Sequence, residues 1–398
     1  MKEHFKVAVV GGGAAGLTLA AELVRKGVKG GYILVLERND RVGKKLLVTG
    51  NGQCNLSNEN MRPEFYHGDA AVISSFLEGL KTFDLKEFFY SLGVPLKADG
   101  EGRIYPLSKQ AGAVLDAFRF FLTENSVEIV TGAKVFSAEK KDGVFRLVSE
   151  KGEFSADKVA FAFGGAAGKR FGTDGTSYSL AESFGHSVTS LYPSLVQIKT
   201  ETQKIRGLKG LKEDVRITAS DGERAIRTET GELLFTDYGV SGSVVFKISG
   251  YLAGLSDPRI NIEFLPDFTQ EEIEGIINDK LRLDFIDKKE ILSGLLNKMV
   301  GAAIVKAAKD LSASEIAKAV KNFSLMVTGD TGFNNAQVTK GGINGGEIRP
   351  ETFESKLCDG LYIVGESLDV DGDCGGYNLT FAFYCGHTAA EDIAKRVN

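Results

Sequence analysis

The sequence predicts an α/β protein in which one nucleotide-binding domain is interrupted by inserted material. Two segments near opposite ends of the 398-residue chain carry this prediction. Residues 5–37 have the order strand, glycine-rich turn, helix, strand, which is typical of a βαβ unit with parallel strands. Residues 360–398 again begin with a buried strand, followed by a glycine-rich turn and a helix. The residues between these segments have different patterns, as expected for insertions.

The first element contains the motif G-x-G-x-x-G at residues 11–16, between the strand FKVAVV and a helix over 17–25. In this context Gly11 permits a tight turn, Gly13 lets a pyrophosphate approach the backbone, and Gly16 allows close helix packing. Glu37 ends the next strand and is placed to bind the adenosine ribose, which favours FAD or NAD over NADP. A glycine-rich turn without a ligand is the alternative interpretation.

The second element is a polar loop over residues 43–55, GKKLLVTGNGQCN. Glycines and amide side chains here suit a ligand that runs beyond the first sheet edge, as FAD does, although an ordinary surface loop has a similar composition. Cys54 in this loop is expected to be a packed thiol, because the segment contains no histidine to activate it.

The central part of the chain contains three stretches with other patterns. Residues 129–162 resemble an antiparallel meander with turns at Lys141-Asp142-Gly143 and Lys151-Gly152, and residues 196–248 are again rich in β patterns. Residues 269–323 predict helices. Thr269 and Ser312 each stand three residues before a glutamate, the pattern of a capping box.

The last element joins the strand GLYIVGE to the loop DGDCGGYNL. Glu366 and Asp371 are suited to ribityl or phosphate-adjacent hydroxyls, and the helix N–H groups at 376–379 are suited to the pyrimidine edge of a flavin. A glycine-rich turn with a helix cap at Asn378 explains the same residues equally well.

Composition excludes several other classes. Glycine makes up 48 of 398 residues, about 12% against a usual value of about 7%, but seven prolines and no G-X-Y period exclude a collagen. The net charge of −5 argues against nucleic-acid and polybasic membrane partners. No signal peptide, transmembrane run, C-x-x-C pair or metal-ligand spacing is present. We therefore expect a cytoplasmic protein with free thiols and no metal.

At this point the chain resembles the BaiN/YhiN-type family of bacterial FAD-dependent oxidoreductases. The matching stretches, in order, are VVGGGAAGL, GKKLLVTGNGQCNLSN, GELLFTDYGVSG, VTKGGI and LYIVGESLDVDGDCGGYNL. This resemblance implies a glutathione-reductase-like Rossmann FAD-binding domain with a β-barrel-like insert and a helical insert. The implied parts are an FAD-binding domain over 1–192 and 346–398, a β-rich insert over 193–265 and 325–345, and a helical insert over 266–324.

The resemblance also implies a set of cofactor-binding residues. They are Gly11, Gly13, Ala15, Gly16, Glu37, Arg38, Lys45, Gly50, Asn51, Asn55, Val135, Gly164, Glu366, Asp371, Gly376, Asn378 and Leu379. Two departures from the family pattern stand beside them. Phe163 replaces a threonine before Gly164-Gly165, and Asp373-Cys374 replaces less polar residues before the double glycine.

The expected function is hydride transfer through flavin N5 between NAD(P)H, or another donor, and a small organic substrate. No second G-x-G-x-x-G is present, so NAD(P)H is expected to be a transient co-substrate; Gly164-Gly165-Ala166-Ala167-Gly168 is the nearest stretch and lacks the first glycine. The alternative is a flavin-binding sensor or an RNA-associated flavoprotein without small-molecule turnover. The sequence identifies neither a catalytic acid or base nor an oligomeric state.

Overall fold

The computed structural model of the protein describes residues 3–397. The chain forms two compact units: one contains the residues up to Tyr192 together with those from Val338 onwards, and the other is Pro193–Gln337. The structure confirms the predicted α/β class. The assignment of residues 1–192 and 346–398 to an FAD-binding domain, with inserts between them, stays a prediction.

The strands follow the chain in this order. They are β1 (Glu3–Val10), β2 (Ile33–Glu37), β3 (Ser57–Asn58), β4 (Tyr66–Gly68), β5 (Leu96–Ala98), β6 (Arg103–Pro106), β7 (Glu128–Thr131), β8 (Val135–Lys141), β9 (Val144–Ser149), β10 (Gly152–Phe161), β11 (Tyr192–Ser194), β12 (Ile198–Thr200), β13 (Lys212–Asp221), β14 (Arg224–Phe235), β15 (Gly239–Ser241), β16 (Pro258–Phe264), β17 (Phe323–Asp330), β18 (Val338–Lys340), β19 (Leu361–Ile363) and β20 (Val370–Gly372).

The α-helices lie between and after these strands. They are α1 (Ala14–Arg25), α2 (Ala70–Gly79), α3 (Leu85–Ser91), α4 (Ala111–Glu124), α5 (Tyr178–Glu182), α6 (Ser243–Ser249), α7 (Gln270–Leu281), α8 (Lys298–Ala307), α9 (Ala313–Lys321) and α10 (Tyr377–Val397). None of the helices within residues 3–397 combines the length and the apolar character needed to cross a membrane.

The first unit is built on a parallel sheet with the order β7-β2-β1-β10-β19. All five residues of β2 are buried, as expected for a strand covered on both faces. The ten-residue strand β10 belongs to both parts of the sheet. Its last residues pair parallel with β19, and its first residues pair antiparallel with β9 of the predicted meander. Helix α1 packs on β1 and β2, and α10 packs against α1.

The second unit contains a closed barrel with the order β12-β15-β14-β13-β16-β17. Its longest hairpin joins β13 to β14 through a turn at Asp221 and Gly222, within the stretch 196–248 that the sequence predicts to be rich in strands. Helices α7, α8 and α9 precede β17, in the part of the chain predicted to be helical. The β-barrel-like and helical character of the insertion is therefore confirmed.

Both predicted helix starts in this unit are N-capped. The Thr269 hydroxyl accepts the N–H of Glu272, and the Glu272 carboxylate accepts the N–H of Thr269, which makes a complete capping box at α7. Ser312 accepts the N–H of Glu315 at α9. These contacts satisfy N–H groups that otherwise have no partner within the helix.

Replacing Thr269 by alanine should lower the free energy of unfolding by about 1 kcal/mol, since the cap is lost without disturbing a buried side chain. Thr269→Ser keeps the hydroxyl and should stay close to wild type. Denaturant unfolding followed by circular dichroism measures both, and equal stability of the alanine and serine variants would contradict the capping role.

Candidate functional site

The predicted site residues gather at one edge of the parallel sheet. The loop after β1 contains Gly11, Glu37 ends β2, and Gly164 and Glu366 follow β10 and β19. Because parallel strands end at the same edge, these loops lie side by side. Ligands in open α/β sheets bind beyond this carboxyl edge.

The glycine turn has the space that its sequence predicts. A β-carbon at Gly11, whose φ is +114°, would lie 2.3 Å from the carbonyl oxygen of Ala162 after β10. A β-carbon at Gly16 would lie 2.0 Å from the Gly11 carbonyl oxygen, so neither position has room for a side chain. A β-carbon at Gly13 would meet nothing within 4 Å. The turn is thus closed on the protein side and open where a phosphate would approach the start of α1.

Glu37 is buried, and both of its carboxylate oxygens accept hydrogen bonds from backbone N–H groups. One accepts the N–H of Gly12 at 2.9 Å, and the other accepts the N–H of Asn39 at 2.8 Å. The Asn39 side-chain amide also donates to Oε1, at 2.7 Å, so that oxygen accepts two hydrogen bonds. The remaining lone pair for a ribose hydroxyl is therefore on Oε2, which accepts only the Gly12 N–H among the described residues. Ala133, two residues before Val135, donates its N–H to the Glu37 carbonyl. Glu37 and Val135, both implied to contact the cofactor, therefore lie near each other at the end of β2.

Arg38 has a partner within the protein. Its guanidinium makes two hydrogen bonds to the Asp174 carboxylate, at 2.8 and 3.0 Å, and a third to the Gly172 carbonyl. Arg38 holds the pKa of Asp174 well below its usual range, although partial burial opposes this effect. This ion pair therefore joins the loop after Gly164 to the residue that follows β2.

A second ion pair joins the polar loop to the end of β19. Lys45 Nζ lies 2.6 Å from Glu366 Oε2, and the other Glu366 oxygen accepts the N–H of Thr339 at 3.0 Å. The buried Thr339 hydroxyl accepts two further N–H groups, from Ala166 at 2.8 Å and Ala167 at 2.9 Å. Lys45, Glu366 and the loop after Gly164 therefore form one network.

The opposite end of the site contains polar atoms without protein partners. Within residues 3–397, Asn55 Oδ1 and Asp371 Oδ1 are buried and make no hydrogen bond. Gly50 and Asn51, with φ of +55°, turn the chain toward Asn55. A β-carbon at Gly376 would lie 2.9 Å from Asn55 Oδ1, so the double glycine before α10 borders the same spot.

The side chain of Asn378 has a local structural role. Its Oδ1 accepts the N–H of Gly372, and its Nδ2 donates to the Gly372 carbonyl at 2.7 Å. It thus fastens the loop between β20 and α10, which leaves its backbone N–H, with that of Leu379, in the first turn of the helix, where N–H groups have no partner within the helix.

Asp371 has the most altered environment at this end. It is 1% exposed, and burial raises its pKa to about 7, although His67 and Lys340 lower it. Across the β4–β20 pair, His67 lies opposite Asp371, and its Nε2 is 2.9 Å from Asp373 Oδ1. A carboxyl group beside a histidine–carboxylate pair can hold and pass a proton.

Cys54 is a packed thiol, as predicted. It is fully buried, and burial raises its pKa to about 12, so it is neither a thiolate nor accessible at neutral pH. Cys374, in the loop before the double glycine, is exposed instead.

These features fit the cofactor that the sequence implies. FAD would lay its pyrophosphate in the open space at Gly13, its adenosine toward Glu37 and Val135, and its flavin toward Asn55 and Gly376. The unpartnered oxygen of Asn55 accepts hydrogen bonds, which matches the N–H and O–H groups of a flavin and its ribityl chain.

Three site residues were not identified from the sequence. Thr339 and Asp174 bind groups that are more than 130 residues away in the chain, and His67 is 306 residues from Asp373. The matching stretch VTKGGI contains Thr339 and was the available signal for it. No local pattern marks His67 or Asp174.

The comparisons with known proteins cover almost the whole chain. Residues 5–392 match the family model described as the HI0933-like protein Rossmann domain. The chain is 35% identical to the 3-dehydro-bile acid delta(4,6)-reductase of Clostridium scindens, over 98% of this chain and 99% of that one. It is 25% identical to the ribosomal RNA dihydrouridine synthase of Haemophilus influenzae over the whole of both chains.

A solved structure shares the fold. The 3-ketosteroid-delta4-(5alpha)-dehydrogenase of Rhodococcus jostii superposes with a TM-score of 0.52 at 16% identity, covering 98% of this chain and 97% of that one.

Two glycine variants separate folding from ligand binding. Gly13→Ala places a methyl group in open space, so the apoprotein should unfold within about 0.5 kcal/mol of wild type while FAD affinity falls at least about tenfold. Gly16→Ala forces its methyl against the Gly11 carbonyl and should destabilise the apoprotein by about 1–3 kcal/mol or more. Thermal unfolding and flavin fluorescence titration measure the two effects. Unchanged FAD affinity in Gly13→Ala would place the pyrophosphate elsewhere.

The raised pKa of Asp371 predicts a pH-dependent stability. The folded apoprotein favours the protonated carboxyl, so it loses stability as the pH rises from about 4, where the unfolded chain ionises, to about 7, and the loss then stays constant. Asp371→Asn removes this loss. The stability of the variant relative to wild type should therefore be greater at pH 8.5 than at pH 4.5, by up to about 4 kcal/mol.

Denaturant titrations at the two pH values test this expectation. Asp392→Asn is the control, because Asp392 is a carboxyl in the same unit that pairs with Arg396. A relative stability of Asp371→Asn that does not change with pH would show that Asp371 is already ionised in the fold.

Proposed function

Because the chain belongs to the HI0933-like Rossmann family and is an FAD-dependent oxidoreductase, we propose that it reduces a small organic substrate with electrons from NAD(P)H or another donor. Bound FAD supplies the hydride through N5. The residues of the chain position the cofactor, exclude water from it and deliver protons.

One observation carries this proposal. At the carboxyl edge of the parallel sheet, the turn held by Glu37 has an open space at Gly13. The polar loop after β2 contains the unpartnered oxygen of Asn55, and the segment after β19, which begins with Glu366, contains that of Asp371. The combination of a phosphate-sized opening and unpartnered polar atoms supports a long nucleotide ligand with a redox-active end beside Asp371.

The relatives indicate a substrate class. The name of the Clostridium relative describes a 3-dehydro (3-oxo) compound reduced at double bonds 4 and 6, and dihydrouridine is uridine with its ring double bond reduced. Both reactions reduce a carbon–carbon double bond conjugated to a carbonyl. We extend this class, an α,β-unsaturated carbonyl compound, to the substrate of this chain.

The electron donor is proposed to visit the site rather than reside in it. The stretch Gly164–Gly168 is the nearest alternative nucleotide loop, but the N–H groups of Ala166 and Ala167 are already bound by the Thr339 hydroxyl. They are not available to a second pyrophosphate. This supports NAD(P)H as a transient co-substrate.

Reduction of uridine in RNA is the second candidate, because a full-length relative is named for it. The net charge of −5 disfavours it, since RNA binding relies on phosphate neutralisation by basic residues. The small-molecule substrate is therefore the preferred hypothesis.

The proposal predicts three results for the purified protein. Denaturation releases FAD; anaerobic NADH or NADPH bleaches the flavin absorbance; and the reduced flavin is reoxidised by an enone such as 4-androstene-3,17-dione or cyclohex-2-enone. Reoxidation by a uridine-containing RNA but by neither enone would favour the second candidate. A flavin that stays oxidised with both nucleotides and with reduced ferredoxin would instead favour a flavin-binding sensor.

A further inference from the structure

Thr339 ties the loop after β10, residues 164–168, to strand β18. Its hydroxyl oxygen accepts the N–H groups of Ala166 and Ala167, at 2.8 and 2.9 Å. Both alanines are buried, so without this oxygen two backbone N–H groups would lack a partner away from water. The conformation of the loop therefore depends on one side-chain hydroxyl.

The same loop packs against the ion pair of Lys45 and Glu366. A β-carbon at Gly165 would clash with Thr339 Oγ1 and would lie 3.0 Å from Glu366 Oε1. A β-carbon at Gly168 would lie 3.8 Å from Lys45 Cε. The loop thus forms a wall on which both charged side chains rest, and Thr339 holds this wall in place.

Thr339 holds Glu366 through its backbone as well. The Thr339 N–H donates to Glu366 Oε1 at 3.0 Å, and Lys45 Nζ lies 2.6 Å from Oε2. One donor on each oxygen fixes the orientation of the carboxylate. Because a carboxylate oxygen can accept more than one hydrogen bond, lone pairs remain for a ligand.

The ion pair is accessible, whereas Thr339 is not. The side chains of Glu366 and Lys45 are 21% and 25% exposed, against 1% for Thr339. A β-carbon at Gly365, the residue before Glu366, would lie 2.9 Å from the β-carbon of Ala15 in the first turn of α1. Glu366 therefore follows a direct contact with the turn whose open space suits a pyrophosphate.

We propose that Thr339 is a positioning residue of the cofactor site, which fixes the Glu366 carboxylate to accept hydrogen bonds from the ribityl hydroxyls of FAD. This role rests on the proposed placement of the flavin end of FAD beside Glu366. Thr339 does not touch the cofactor in this role. Because its hydroxyl and its N–H order the loop and the carboxylate beforehand, less ordering is needed when FAD binds, which raises the affinity.

Two replacements of Thr339 test the hydroxyl. Thr339→Val keeps the shape of the side chain and removes the hydroxyl, so it should weaken FAD binding to the apoprotein by about tenfold or more. Thr339→Ser keeps the hydroxyl and should bind FAD within about threefold of wild type. Flavin fluorescence titration measures both affinities without turnover, so the results do not depend on the substrate of the proposed reaction.

Ser355 provides a matched control in the same unit. It is also buried, and its hydroxyl also accepts two backbone N–H groups, those of Leu357 and Cys358, each at 3.0 Å. Ser355→Ala should lower the midpoint of thermal unfolding, as Thr339→Val does, while its FAD affinity stays at the wild-type value. Equal losses of FAD affinity in the two variants would show general destabilisation and overturn the positioning role.

A double-mutant cycle tests whether Thr339 acts through Glu366. Glu366→Ala should itself weaken FAD binding, and adding Thr339→Val to it should weaken binding by less than about threefold further. Fully additive effects would overturn the role of Thr339, although Glu366 would remain a cofactor ligand. Wild-type FAD affinity in Glu366→Ala would instead contradict the placement of FAD beside Glu366, and the role of Thr339 falls with it.

Thr339→Ser keeps the proposal testable if Thr339→Val does not fold. Wild-type FAD affinity in the serine variant supports the hydroxyl as the group that matters, since only the methyl group has been removed. A loss of about tenfold in the serine variant would assign the effect to packing of that methyl group and would overturn the proposal.

Discussion

The close approach of two loops and two helices at the end of β1 is the constraint on which the rest of the first unit depends. The turn at Gly11 lies against the Ala162 carbonyl, and α1 begins so close behind it that Gly16 lies against Gly11 itself. A β-carbon at Gly386 of α10 would lie 2.4 Å from the Ala15 carbonyl oxygen, so the last helix also packs onto this turn. Backbone contact at these positions aligns the loops after β1 and β10 with the first and last helices.

Polar contacts then fix the loops that glycine brings together. Glu37 holds the turn from the β2 side, and Arg38 binds Asp174 across the loop after β10. The Lys45–Glu366 pair holds the polar loop to the end of β19. Each contact joins two different strand ends. Removing one partner would leave a partly buried charge unpaired, which costs more than the intact pair contributes.

The sequence predicted the parts of this site that local patterns record. The G-x-G-x-x-G turn, the acid ending β2, the polar loop at 43–55 and the strand before Glu366 all follow from spacing and hydrophobicity within short windows. The parallel pairing of β7 with β2 and the closure of the barrel could not be predicted from short windows, because they join strands that are far apart in the chain. The same holds for Thr339 and the His67–Asp373 pair, because they depend on the register between distant segments.

The two acids that the sequence placed together at the flavin end, Glu366 and Asp371, have different environments. Glu366 meets the Lys45 ammonium and a backbone N–H, both of which stabilise a carboxylate. Asp371 has one buried oxygen without a donor, and burial dominates its pKa. Environments that separate two carboxyls in this way assign them different chemical roles. Glu366 suits a fixed negative charge, whereas Asp371 keeps its proton to a higher pH than an exposed aspartate does.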